Sequence, residues 1–181
     1  MEHAARQVTD VLAHTFIGEG PQSAAFEQAL QLRLGWPYLR VVSSGTAALW
    51  VAYHLAGIHG KTVAATPLTC TAATTTLLHF GADIRWVDID PQTGGMDPRR
   101  LREALSGVPP FAAAVLTCDW GGDPGALEAL ASICAEYGVP LIEDSAHSFG
   151  AEHLTTTPAD FCALSFQAIK LLTTADGGAL R

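Results

Sequence analysis

DPGALEALASICAEYGVPLIEDSAHS, residues 123–148, reads as a helix running directly into a buried strand. Asp123-Pro124 suits a helix start, because the N–H that proline lacks has no partner in the first turn anyway. Apolar residues then recur at helical spacing as far as Tyr137, and Gly138 supplies the stop. Val139 to Ile142 is an apolar run with no polar alternation. A strand of that kind is covered on both faces, as in a parallel sheet between helix layers. The acidic pair Glu143-Asp144 falls where this strand ends.

The same alternation extends in both directions. Upstream, the spacing predicts helices over 5–16, from Pro21 to Gly35, over 47–56 and 71–80, and from Pro98 to Leu105 with Asp97 as N-cap. Strands are expected over 39–42, 62–65, 83–87 and 111–116. Downstream, they are expected over 139–142, 161–166 and 178–180. Phe16 to Pro21 reads as a breaker, and 106–110 and 153–158 as surface loops. Strands alternating with helices define an α/β fold, a three-layer structure around a mainly parallel sheet. A strand at 178–180 with nothing after it is expected to leave an open sheet edge. Residues 1–181 are therefore read as one large domain, expected to be incomplete.

Composition excludes several classes. The chain is 49% hydrophobic and carries a formal net charge of −8, which disfavours a nucleic-acid surface. No apolar run is long enough to span a bilayer, and no signal peptide is evident. The cysteines at 70, 118, 134 and 162 form no C-x-x-C pair and share no ligand spacing with a nearby histidine. The expectation is reduced thiols in a cytoplasmic protein, with no metal site. His3, His14, His54, His59, His79 and His153 have no recognisable partner in the sequence.

Three short segments carry chemistry. Val42-Ser-Ser44-Gly45-Thr46-Ala47 ends a strand and begins a helix, where free amides and hydroxyls can hold a phosphate. An ordinary N-cap explains this segment equally well when it is taken alone. Asp144 lies at the carboxyl end of a strand, where open α/β sheets bind ligands. Glu143 faces the other way by strand alternation. His147 follows three residues on, within reach of the same cavity. Lys170 is one of only two lysines, the other being Lys61, and sits among Ala168, Ile169, Leu171 and Leu172. An apolar setting would disfavour its charged form and make it a better nucleophile. An amine for a Schiff base, a carboxylate for a pyridinium nitrogen and a phosphate cradle together suit pyridoxal 5'-phosphate (PLP).

In this order the segments resemble the DegT/DnrJ/StrS family of PLP-dependent nucleotide-sugar aminotransferases. The resemblance runs through Phe16-Ile-Gly-Glu-Gly-Pro21, Ser43 to Leu49, Val87 to Pro91 and Gly121 to Pro124. It continues through Ile142 to His147, Gly150-Ala151, Ser165-Phe166, Lys170 and Gly177-Gly178. It implies the aspartate-aminotransferase-like (type I) PLP fold, without the small C-terminal domain that normally follows. It also implies a covalent cofactor link at Lys170, Asp144 on the ring nitrogen, and Ser44, Gly45, Thr46 and Ser165 around the phosphate. His147 would lie near the phenolic oxygen. Cys70 stands where the family often places an aromatic residue that stacks on the ring, and cysteine cannot stack.

The expected substrates are an amino acid, with glutamate as donor, and a nucleotide-linked keto sugar. The expected assembly is a homodimer or a pairing with a complementary chain. Two other readings stand beside this one. The chain could be a catalytically incomplete fragment or subunit needing a complementary chain, or a PLP-dependent sugar dehydratase of the same family. Lys170 argues against the last, because such dehydratases are known with histidine in its place.

Overall fold

The computed structural model describes residues 2–13, 19–106 and 112–181. The first part of the expected breaker at 16–21, the end of the expected helix over 5–16, most of the loop at 106–110 and the strand start at Phe111 lie outside them. Helices α1 (Glu2–Ala13) and α2 (Pro21–Leu34) lead into strand β1 (Arg40–Val42). Then follow α3 (Gly45–Leu55), β2 (Thr62–Ala65), α4 (Thr71–His79), β3 (Asp83–Trp86), α5 (Pro98–Leu105) and β4 (Ala114–Cys118). The chain continues through α6 (Leu127–Tyr137), β5 (Leu141–Asp144), β6 (Phe161–Ser165) and β7 (Gly178–Leu180).

The seven strands form one sheet in the order β1-β7-β6-β5-β4-β2-β3. Strands β2 to β6 pair in parallel, and β7 runs antiparallel to both β1 and β6. The expected open edge at 178–180 is not present. β7 is inserted between β1 and β6, so its backbone is paired on both sides.

Strand alternation separates the two faces. Val63, Ala65, Ala114, Leu116 and Ile142 pack beneath Ala48, Leu49, Ala52 and Tyr53 of α3 and Ala73 and Leu77 of α4. Ala64, Val115 and Leu141 face the opposite layer, against Leu101 and Leu105 of α5 and Leu130 and Ile133 of α6. A third cluster joins α2 to β6 and β7 through Leu30, Leu34, Trp36, Leu164, Phe166 and Ala179. The layering is the three-layer α/β arrangement expected from the sequence.

Two local expectations need correction. Helix α6 begins at Leu127 rather than at Asp123-Pro124. Trp120 to Gly122 forms a short 3₁₀ turn ahead of it, with Gly121 and Gly122 at positive φ. Residues 153–158 are also more than a surface loop. Glu152 to Thr155 forms a 3₁₀ turn, and Leu154 is fully buried. Its carbonyl accepts the Trp36 indole N–H at 2.7 Å.

Candidate active site

The candidate residues gather at the carboxyl ends of the parallel strands. Ser44 is the N-cap of α3, and its Oγ accepts the Ala47 amide at 3.0 Å. Its carbonyl accepts the Ala48 amide, also at 3.0 Å. Among the described residues no acceptor is found for the Gly45 and Thr46 amides, so both remain open donors at a helix start. Glycine is required at two close approaches here. A Cβ on Gly45 would lie 2.8 Å from Ser165 Cβ, at the end of β6. A Cβ on Gly178 would lie 2.6 Å from the Gly45 nitrogen and clash with the Ser44 carbonyl. The expected Ser44-Gly45-Thr46 and Ser165 residues thus share one small-walled cradle.

Asp144 ends β5 and is only 5% exposed. Burial pushes its pKa up to about 6, against the Ala146 amide that donates to Oδ1 and the nearby Lys170 charge, both of which lower it. Glu143 points through the opposite face, as alternation predicted.

Lys170 stands in the loop between β6 and β7, in a turn closed by its own amide on Gln167 O at 2.8 Å. Its ammonium is close enough to act on both Asp144 and His147. The apolar flanks do not enclose it. Ile169 is 84% and Leu171 81% exposed, so these two side chains turn away from the core.

His147 is held by the Gly121 amide, which donates to Nδ1 at 3.3 Å. In a neutral ring that places the proton on Nε2. Partial burial lowers the His147 pKa, and Lys170 lowers it further. Trp120 meets the His147 ring edge-on at 5.5 Å. Cys70 precedes α4 as its N-cap residue, exposed and without a capping bond.

The sequence reading missed several neighbours. Cys118 ends β4, and burial, reinforced by Asp144, pushes its thiol up to about 12. Tyr53 is fully buried under the sheet, and burial followed by the Asp144 charge raises its pKa well above the ordinary value. Behind Asp144, His153 meets Asp119 and Glu143. These two carboxylates hold the imidazole up to about 9. No spacing signal marks this trio, since its members come from three separate segments.

The sequence profile of the DegT/DnrJ/EryC1/StrS aminotransferase family matches residues 1–181. The chain belongs to that family. It is 31% identical over 176 residues to the UDP-4-amino-4,6-dideoxy-N-acetyl-beta-L-altrosamine transaminase of Campylobacter jejuni, covering 96% of this chain and 46% of the relative. It is 35% identical over 177 residues to the dTDP-4-dehydro-2,3,6-trideoxy-D-glucose 4-aminotransferase of Saccharopolyspora spinosa, covering 94% and 45%. The sugar aminotransferase CalS13 of Micromonospora echinospora superposes with a TM-score of 0.86 at 32% identity, covering 97% of this chain and 50% of that one. The PMP-form of the Streptococcus pneumoniae sugar aminotransferase Spr1654 superposes with a TM-score of 0.90 at 26% identity, covering 99% and 49%. The chain thus spans about half the length of these relatives.

Aminotransferases of this family use PLP, and the fold is theirs. The residues present suit that group. Open amides and two obligatory glycines suit a phosphate. A buried carboxylate suits a protonated ring nitrogen, and an amine stands near that carboxylate. No helix among the described residues is long and apolar enough to cross a membrane.

Proposed function

We propose that this chain is the cofactor-binding part of a PLP-dependent aminotransferase. The proposed reaction moves an amino group from an amino acid, glutamate, to a nucleotide-linked keto sugar. One observation carries the reading: Lys170, Asp144 and the cradle of Ser44, Gly45, Thr46 and Ser165 lie at one end of one sheet. The names of the relatives, which are nucleotide-sugar aminotransferases, support the substrate class.

Bound PLP would act as the sink for electrons released when a substrate C–H bond breaks. In this reading Lys170 Nζ would hold the cofactor covalently and, once released, would carry the proton between the substrate carbon and the cofactor carbon. Asp144 pairs with the ring nitrogen and keeps it protonated. The Gly45 and Thr46 amides, with the Ser44 and Ser165 hydroxyls, anchor the phosphate. His147, fixed at Nδ1, would offer its Nε2–H to the phenolic oxygen. Cys70 would border the ring in this reading, where a thiol cannot stack. A cytoplasmic location belongs to the same proposal, and the four free thiols support it.

The test is the first half-reaction. Chain loaded with PLP and given L-glutamate is expected to release one equivalent of 2-oxoglutarate, and Lys170→Ala to release essentially none while still binding PLP non-covalently. Failure of the loaded wild-type chain contradicts self-sufficient catalysis. It would favour the second reading, a subunit that binds PLP but needs a complementary chain.

Ile169 and Leu171, exposed on either side of Lys170, support assembly beside the site, as a homodimer or with such a chain. Sedimentation of wild type and of Ile169→Ser/Leu171→Ser is expected to show an assembly that the double variant weakens. Equal masses for the two proteins would count against an interface there.

A further inference from the structure

We propose that Asp119, Glu143 and His153 form a binding site for one divalent transition-metal cation of the zinc class, on the face of β5 away from Asp144. The site is independent of the cofactor reading. It is built from the residue after β4, the penultimate residue of β5 and the 3₁₀ turn at 152–155.

The three side chains bring one ligand atom each within 4.8 Å of one another. His153 Nε2 lies 3.1 Å from Asp119 Oδ2 and 3.3 Å from Glu143 Oε1. Ligands bound to zinc tetrahedrally at about 2.0–2.1 Å stand roughly 3.3 Å apart. These two edges match that spacing, and the third, between the carboxylates, stays within 4.8 Å.

Charge and hydrogen bonding point the same way. Glu143 is 0% and Asp119 1% exposed. One imidazole N–H cannot serve both carboxylates, and His153 aims at Asp119 Oδ2. Glu143 Oε1 and Asp119 Oδ1 are buried and accept no hydrogen bond. Without a metal, the His153 imidazolium balances only one of the two buried carboxylates, and the orphaned oxygens stay costly unless a further proton or a metal cation joins them. A divalent cation with two carboxylates and a neutral imidazole makes the group electrically neutral.

The surroundings have the anatomy of a metal site's outer shell. Ser148 Oγ donates to Asp119 Oδ2 at 2.6 Å, and Thr157 Oγ1 donates to Glu143 Oε2. Each carboxylate is therefore oriented by a hydroxyl. The His153 side chain is 18% exposed, which provides an entry path and room for a solvent ligand in the fourth position. A mixed nitrogen and oxygen set of three suits zinc, cobalt or manganese better than calcium, which takes six to eight oxygens. The expected role is structural. The Asp119 amide donates to the Asp144 carbonyl at 3.1 Å, so a cation here ties the end of β4 to the end of β5.

The experiment uses the full chain, stripped with a chelator and titrated with Co²⁺ as the optical probe. One equivalent is expected to give visible d–d bands of tetrahedral intensity, without the near-ultraviolet band of a cobalt–thiolate bond. Zn²⁺ should displace it and raise the melting temperature. His153→Gln and Asp119→Asn should each weaken Co²⁺ binding by more than about 100-fold, and Ser148→Ala by about 10–100-fold. His153 lies at the rim, so its variant is the one expected to stay folded if Asp119→Asn does not. Co²⁺ uptake unchanged in His153→Gln overturns the proposal, as does a thiolate band. So does a wild-type melting temperature indifferent to Zn²⁺, the result expected if a shared proton alone joins the two carboxylates.

Discussion

Asp144→Asn is expected to make the cofactor-free chain more stable at pH 8 while reducing transamination by roughly 10²–10³-fold. The two effects share one cause. In the folded chain Asp144 titrates at about 6, against an ordinary 3.8, because it is buried. A folded-state value raised in this way favours folding below the unfolded pKa, and that contribution is lost as pH rises through about 6. The difference of about 2 units corresponds to about 3 kcal/mol at pH 8. Asparagine keeps an oxygen for the Ala146 amide and carries no charge to bury. The stabilisation should therefore shrink below pH 6 and vanish near pH 4. The same substitution removes the anion that would hold the ring nitrogen protonated. Denaturant melts at pH 8 and pH 4, run beside a transamination assay, check both halves. A variant no more stable at pH 8 than wild type would show that the carboxylate is solvated. Normal turnover would move the role to another group.

Gly178→Ala is expected to cost about 3 kcal/mol or more and to lower the melting temperature by roughly 5–10 °C. The added methyl would meet Ser44 and Gly45 main-chain atoms, as close as 2.6 Å to the Gly45 nitrogen. Main chain held in a sheet and at a helix start cannot yield as a flexible side chain would. Either β7 leaves its place between β1 and β6, or the Ser44-Gly45 turn shifts. PLP affinity should therefore fall along with stability, by at least about tenfold, from loss of the phosphate anchor. Gly138→Ala is the control. Its added methyl meets nothing within 4 Å, and only its positive φ of 65° is strained, so it should leave PLP affinity unchanged. A Gly178→Ala chain with wild-type melting and affinity would show that the close approach at β7 is not part of the site.

Local order was legible in the sequence, and long-range placement was not. The strand at 62–65 and the helix at 98–105 match residue for residue, because period, cap and stop signals are all local. Asp144 and Glu143 were assigned opposite faces by alternation alone. The position of β7 was misread as an edge, since no local signal says that a three-residue segment inserts between the strand just before it and one far upstream. The flanks of Lys170 were misread for a related reason. Apolar residues in sequence suggest burial, whereas in this loop Ile169 and Leu171 face outward. His153 looked solitary because its partners lie 34 and 10 positions upstream, beyond the end of β4 and on β5. Only the fold brings them together.

The proposed reaction depends on covalent binding of PLP by Lys170. Reduction of the PLP-treated chain with borohydride, followed by peptide mapping, tests it most directly. The chain has only two lysines, Lys61 and Lys170, so the result is close to binary. A visible absorption band that disappears on reduction, with the phosphopyridoxyl label on Lys170, is the predicted result. A label on Lys61, or no label in a chain that stays folded, would contradict the account.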